Sequence, residues 1–152
     1  MRRFLCDAML GTLTTYLRMC GYDTAYALDR DVEDEDELRS WAAEEQRTLL
    51  TRDRTLAEQT SDAILLTAHA PADQLTELAN AGIELALPDE PIRCSHCNGR
   101  LAAVGPEEPR PDYAPDQEER PVWRCMTCGQ FFWRGSHWED LGNRLPDESA
   151  TP

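Results

Sequence analysis

The pairs Cys94-x-x-Cys97 and Cys125-x-x-Cys128 constrain this chain more than any other feature. Two sulfurs three positions apart on a tight turn reach one ion, and two such turns supply the four soft ligands of tetrahedral Zn²⁺. The start, Met1-Arg2-Arg3-Phe4-Leu5-Cys6-Asp7, meets an acid after three apolar residues, too soon for a secretory leader. A cytoplasmic location is therefore expected, and there paired cysteines serve as metal ligands rather than disulfides. A four-thiolate site is closed, so the expected zinc is structural. Twenty-seven residues separate Cys97 from Cys125, more than a ribbon needs. Residues 105–121 hold five of the ten prolines and read as an unpacked excursion between the two arms. His96 reads as an exposed knuckle residue and His137 as a cap on the ribbon. Cys6 and Cys20 stand alone in apolar surroundings.

The first 87 residues have a different grammar. Short apolar runs at 3–6, 24–28, 48–51, 63–67 and 83–87 predict strands, each bounded by turn residues. Leu10, Leu13, Leu17 and Cys20 recur at helical spacing, and Gly21 supplies a stop. The acidic run 31–37 leads into a helix through Leu38, Trp41 and Ala42, and further helices are expected at 55–59 and 71–80. Alternation of this kind implies an α/β fold with a parallel sheet flanked by helices. Pro88-Asp89-Glu90-Pro91 reads as a linker. The expected units are 1–88, a zinc ribbon over 91–142 and a flexible tail over 143–152.

In open parallel sheets, sites form beyond the carboxyl ends of the strands. Asp7 and Asp53 follow the first and third predicted strands, and more acids crowd residues 33–37. Carboxylates converging there repel one another unless a cation neutralises them, and hard oxygen ligands call for Mg²⁺ or Mn²⁺. A phosphoacceptor receiver domain gathers aspartates similarly but also uses a lysine, and all 15 bases here are arginines. The formal charge of −14 ordinarily argues against nucleic acid. An acidic surface also suits a halophilic source, where salt screens charge within a few ångströms, and the charge then says little about the partner. Around the second cysteine pair stand Trp123, Trp133 and Trp138. Most of these rings should fill the ribbon core, while exposed ones beside Arg124 or Arg134 would stack on single-stranded bases. No stretch is long and apolar enough to span a bilayer, so no membrane partner is expected.

Four segments in order carry a family resemblance: Phe4-Leu5-Cys6-Asp7-Ala8-Met9-Leu10-Gly11, Leu17-Arg18-Met19-Cys20-Gly21-Tyr22-Asp23-Thr24, Leu49-Leu50-Thr51-Arg52-Asp53-Arg54, and Trp133-Arg134-Gly135-Ser136-His137-Trp138. The chain resembles the PIN-like ribonuclease domain named after the C-terminal part of the Mut-seven exonuclease, with its appended zinc ribbon. The resemblance implies a metal-dependent ribonuclease directed at single-stranded RNA. It implies Asp7 and Asp53 as strand-end metal ligands, with the third acid in Glu35-Asp36-Glu37, where Asp36 is chosen ahead of Glu35. A fourth acid is expected after the fourth strand, and Asp73 is the nearest candidate. Arg18, Arg52, Arg54 and Arg134 are the expected RNA contacts, with a salt bridge to neighbouring acids the equal alternative for each of the first three. Cys94, Cys97, Cys125 and Cys128 hold Zn²⁺, and Asp7, Asp36 and Asp53 hold Mg²⁺ or Mn²⁺. The alternative is a non-catalytic adaptor that binds RNA or protein through a degenerate site. Protein partners are left open.

Overall fold

The computed structural model describes residues 2–116 and 120–146. Strand β1 (Phe4–Cys6) runs through a 3-10 turn at Ala8–Leu10 into helix α1 (Gly11–Met19). Strand β2 (Thr24–Tyr26) ends earlier than expected, because Ala27–Arg30 winds into a second 3-10 turn. Then follow α2 (Glu35–Glu44), β3 (Thr48–Thr51), α3 (Arg54–Gln59), β4 (Ala63–Leu65) and α4 (Pro71–Asn80). The four strands form a parallel sheet in the order β2-β1-β3-β4, with Phe4 opposite Thr24 on one side and Thr48 on the other.

Side-chain alternation divides the sheet's two faces. Phe4, Cys6 and Leu50 join Leu13 and Leu17 of α1 and Leu75 and Leu78 of α4. Leu5 and Leu49 join Leu38 and Trp41 of α2 and Leu56 of α3. Both faces are covered, which is why these strands read as nearly continuous apolar runs. Each buried leucine contributes about 1.5–3 kcal/mol. The N-terminus of α2 is capped by Asp34, whose Oδ1 accepts from Asp36 N at 3.2 Å.

Two expectations need correction. Residues 83–87 form no strand. Their alternation is real, but Ile83 and Leu85 pack on the α1–α4 layer instead of pairing with a sheet edge. Tyr22 Oη donates to the Glu84 carbonyl at 2.5 Å and fastens the segment. The end of the chain also departs from the expected ribbon and tail. Helix α5 (Ser136–Arg144) forms there, Leu141 is buried in the core of the first unit, and Leu145 packs against it. The spacing of Trp138, Leu141 and Leu145 is helical and was the available signal. The rest of the expected tail, 147–152, lies outside the described residues.

The cysteine region forms an antiparallel sheet of β5 (Leu101–Ala103), β6 (Trp123–Cys125) and β7 (Phe131–Phe132). The excursion is not wholly unpacked: Tyr113 lies edge-on to Phe131, with centroids 6.3 Å apart, and its Oη accepts from Phe131 N at 3.2 Å. Residues 117–119 of the excursion lie outside the described residues.

Candidate functional site

The four cysteines converge. Cys94 Sγ lies 3.7 Å from Cys128 Sγ, Cys97 Sγ lies 3.5 Å from Cys125 Sγ, and all four sulfurs are within 4.8 Å of one another. A tetrahedron with Zn–S bonds of about 2.3 Å has edges of about 3.8 Å, so this cage fits zinc. Each arm is a turn closed by its own backbone. Cys94 N donates to Gly99 O at 2.8 Å, and Cys125 N donates to Gln130 O at 2.8 Å. The residue after each second cysteine, Asn98 or Gly129, takes a positive φ, 72° and 82°. Gly99 is required by space: a Cβ there would lie 2.8 Å from Cys125 Sγ. Burial pushes the Cys94 and Cys97 thiols up, so without a cation they hold their protons. Burial acts the same way on Cys125, but N–H groups of Cys128 and Thr127 outweigh it and bring that thiol down to about 7. Cys6 and Cys20 are ordinary core residues, their thiols pushed up to about 12 by burial.

The first cysteine turn is fastened to the parallel sheet. Asn98 Nδ2 donates to Asp23 Oδ1 at 2.7 Å, and Thr24 N donates to Asn98 Oδ1 at 2.9 Å. Arg18 joins this fastening, taking the ion-pair alternative instead of facing solvent as an RNA contact would. It is 3% exposed. Its guanidinium donates to the carbonyls of Thr24, Ser95 and His96 and pairs with Asp29 at 3.1 Å. It is a strut between α1, β2 and the cysteine turn, with its donors already engaged. His96 is exposed, as expected of a knuckle residue.

The acids gather at the carboxyl end of the parallel sheet. Asp7 leaves β1 while its N–H still pairs with Leu50 O at 3.0 Å, and its Oδ1 accepts from Ala8 N at 2.7 Å. Thr51, wholly buried at the end of β3, links two acids. Its hydroxyl donates to Asp7 Oδ2 at 2.8 Å and accepts from Asp53 N at 3.0 Å. Asp53 caps α3, its Oδ1 accepting from Leu56 N at 3.2 Å. Glu35, at the start of α2, is the third member. The neighbouring Asp53 carboxylate raises its pKa, and the charge of Asp7 adds to that. A carboxyl held above its usual range by two others is a place where a cation replaces a proton. These are hard oxygen donors, and they suit Mg²⁺ or Mn²⁺. The trio is looser than the cysteine cage, which among the described residues is the metal-capable group that closes to 4.8 Å.

Asp36, the acid chosen from sequence, points elsewhere. It pairs with Arg39 and lines a cavity of about 730 Å³ between α2 and the α3–β4 turn, whose walls include none of Asp7, Glu35 or Asp53. The helix turns about 100° per residue, so neighbouring acids cannot share a direction. Glu35 is the one in register with Leu38 and Ala42 on the buried stripe, and that register was the missed signal. Asp73 is exposed in the first turn of α4. The acid that reaches the end of β4 is Glu77, which accepts from Thr67 N at 2.9 Å and Ala68 N at 2.7 Å. Partial burial resists its charge, and those N–H groups overcome it, holding its pKa below the usual range.

Arg52 Nη2 donates to His69 Nε2 at 2.8 Å, beside the acids, and Arg54 is exposed at the start of α3. No motif in the sequence singles out His69. Arg134 is exposed, donates to Asp89 O at 3.1 Å and lies 5.7 Å from the Trp123 ring. Trp123 is 5% exposed and belongs to the ribbon core, so it drops out as a stacking ring, while Trp133 and Trp138 are half-buried. His137 is exposed on the first turn of α5.

A family model described as "Mut7-C RNAse domain" matches residues 2–145. No curated protein and no solved structure gives a significant match. Among the described residues, no helix is long and apolar enough to cross a membrane.

Proposed function

The chain belongs to the Mut7-C RNase domain family, and from that membership we propose that it hydrolyses phosphodiester bonds of single-stranded RNA with a metal-activated water. The observation that carries this is the pair Asp7 and Asp53, tied through one buried hydroxyl at the carboxyl end of the sheet, with Glu35 near enough for Asp53 to raise its pKa. Asp7, Glu35 and Asp53 would hold the catalytic Mg²⁺ or Mn²⁺. When bound, such a cation supplies a hydroxide-like water and neutralises charge on the leaving oxygen.

The chain's own residues do the rest. Thr51 fixes the orientation of Asp7, and the N-terminus of α3 fixes Asp53. Arg52, held by His69, and exposed Arg54 offer donors to phosphate oxygens at the mouth of the site. The zinc ribbon, its first turn fastened at Asp23, Thr24 and Arg18, presents Trp133, Trp138 and Arg134 to the rest of the strand. We place the protein in the cytoplasm of a salt-adapted cell, where 29 acids against 15 bases keep a surface hydrated. The boundaries 1–88 and 91–142 remain our division of the chain, with α5 returning to the core of the first unit. The adaptor reading has one observation in its favour: Glu77, the acid at the end of β4, spends its oxygens on backbone N–H groups.

The test is labelled RNA and DNA incubated with the purified chain at high salt, with Mn²⁺ or with chelator. RNA cleavage that needs the cation and disappears in Asp53→Asn is the expected result. Asp53→Asn should melt no lower than the parent, since it relieves repulsion from Glu35. RNA binding without cleavage would favour the adaptor, and full cleavage by Asp53→Asn would remove Asp53 from the ligand set.

A further inference from the structure

A cleft between α1, β7 and the start of α5 belongs to neither metal site. Its volume is about 450 Å³, and its walls include Tyr16, Phe132, Trp133 and Trp138. That size and aromatic character are those of a small-ligand site. The first-turn N–H groups of α5 have no intrahelical partner, and Gly135 at the N-cap brings no side chain to them. Arg93 lines the same cleft; its Nη1 donates to Asn98 O at 3.2 Å and its Nη2 lies 3.8 Å from Asp23, while its Nε is buried with no hydrogen-bond partner among the described residues. Beyond Trp138, a second cavity of about 400 Å³ is lined by Arg120, Arg134 and one exposed acid, Glu139. The two guanidinium groups rest on the backbone carbonyls of Arg134 and Asp89. The one acid in the cleft wall, Asp140, is paired with Arg144 at 3.1 Å.

In a chain of net charge −14, this cluster of arginines and free N–H groups around aromatic walls complements an anion that carries a flat ring. We propose that the cleft binds one unpaired nucleotide of the RNA. The base lies against Trp133 and Trp138, and the phosphate lies at the N-terminus of α5, within reach of Arg134. The choice of ligand rests on the nuclease reading above; the cleft and its donors do not. The site lies down α1 from the acid cluster. Gly11 follows Asp7 closely, and Tyr16 stands about 8 Å farther along the helix at about 1.5 Å per residue. An RNA strand running along α1 reaches both, so the cleft holds a nucleotide outside the bond being cut. Stacking tolerates every base and resists salt better than phosphate attraction, which fits a protein adapted to concentrated salt.

The probe is a short fluorescein-labelled single-stranded oligoribonucleotide, titrated by anisotropy into the zinc-loaded full chain carrying Asp53→Asn. Adding Trp138→Ala is expected to weaken binding about tenfold through lost stacking. Adding Ser136→Asp is expected to weaken it as much, by setting a carboxylate where the phosphate sits. Ser136 is exposed, and an acid in the first turn favours the helix, so this variant should melt no lower. Should Trp138→Ala fail to fold, Ser136→Asp decides alone. Affinity unchanged in folded Ser136→Asp overturns the cleft, as does equal affinity for a matched duplex. Cleavage by the parent chain is read separately. If the parent cleaves RNA while binding ignores the cleft variants, only the cleft falls. If the parent never cleaves RNA but binding depends on the cleft, the cleft stands and the nuclease reading falls. A chain that binds no RNA overturns the cleft.

Discussion

Thr51 is wholly buried at the carboxyl end of β3, and its hydroxyl serves two acids at once. Valine has nearly the same shape and no hydroxyl. In Thr51→Val, Asp53 N loses its acceptor and Asp7 Oδ2 loses its donor. An unsatisfied buried group costs about 1–3 kcal/mol, so the melting temperature should fall measurably. A carboxylate displaced by an ångström loses rate steeply, so RNA cleavage should fall by about a hundredfold, and Thr51→Ser should restore both. Single-turnover cleavage beside a thermal melt checks this; wild-type rates in Thr51→Val would show that the hydroxyl does not position Asp7. The choice between Glu35 and Asp36 belongs to the same scale. Both acids suit the positive end of α2, and composition cannot separate them. The rotation of the helix does, and packing of Leu38, Trp41 and Ala42 sets that rotation.

Among elements, the ribbon depends most on something outside the chain. Strands β5, β6 and β7 have two or three residues each, and few of their side chains are buried. Bringing four thiols within 4.8 Å costs free energy while they hold protons and still more once they are charged, and a metal reverses both. Elemental analysis should find one Zn²⁺ per chain, and a strong chelator or Cys125→Ser should disorder the ribbon. Hydrogen exchange should then rise across β5 to β7 while the parallel sheet keeps its protection. Absence of zinc together with a Cys94–Cys128 disulfide would contradict the assignment. Helix α5 is an exception within this half of the chain, since Leu141 is anchored in the core of the first unit.

At the scale of the molecule, Asp23 joins the parallel sheet to the cysteine turn. It binds Asn98 Nδ2 at 2.7 Å and Arg47 Nη1 at 2.9 Å, with Arg3 at 3.3 Å and Arg93 at 3.8 Å. Burial opposes its charge, but Asn98 and the arginines prevail and hold its carboxyl at about 2. The folded value lies below the unfolded value of about 3.9, so the folded chain binds fewer protons. The stability from Asp23 is therefore fully present above about pH 4 and is lost as pH falls toward 2. The amount is about 2 kcal/mol. Asp23→Asn should lose that much near neutral pH and show a flatter acid limb than the parent. Denaturant melts across the acid range measure it, and parallel limbs would remove Asp23 from the joint. Because acid also strips zinc from thiolates, zinc occupancy must be followed in both chains.

Some of this follows from local rules that hold before any folding. Cysteine pairs three residues apart on a turn, strand-length apolar runs and strand-end aspartates act over a few residues, so the cysteine cage, the parallel sheet and the places of Asp7 and Asp53 were legible. Arg18 was not, because its fate depends on Ser95 and His96, whose carbonyls reach it from far along the chain. Residues 83–87 alternate like a strand, but only the assembled α1–α4 layer decides that they pack rather than pair. Trp123 and Trp138 read alike in sequence, and burial alone makes the first a core residue and leaves the second at a cleft. A pattern constrains which side chains leave water; which partner each one meets is decided when distant segments compete for the same space.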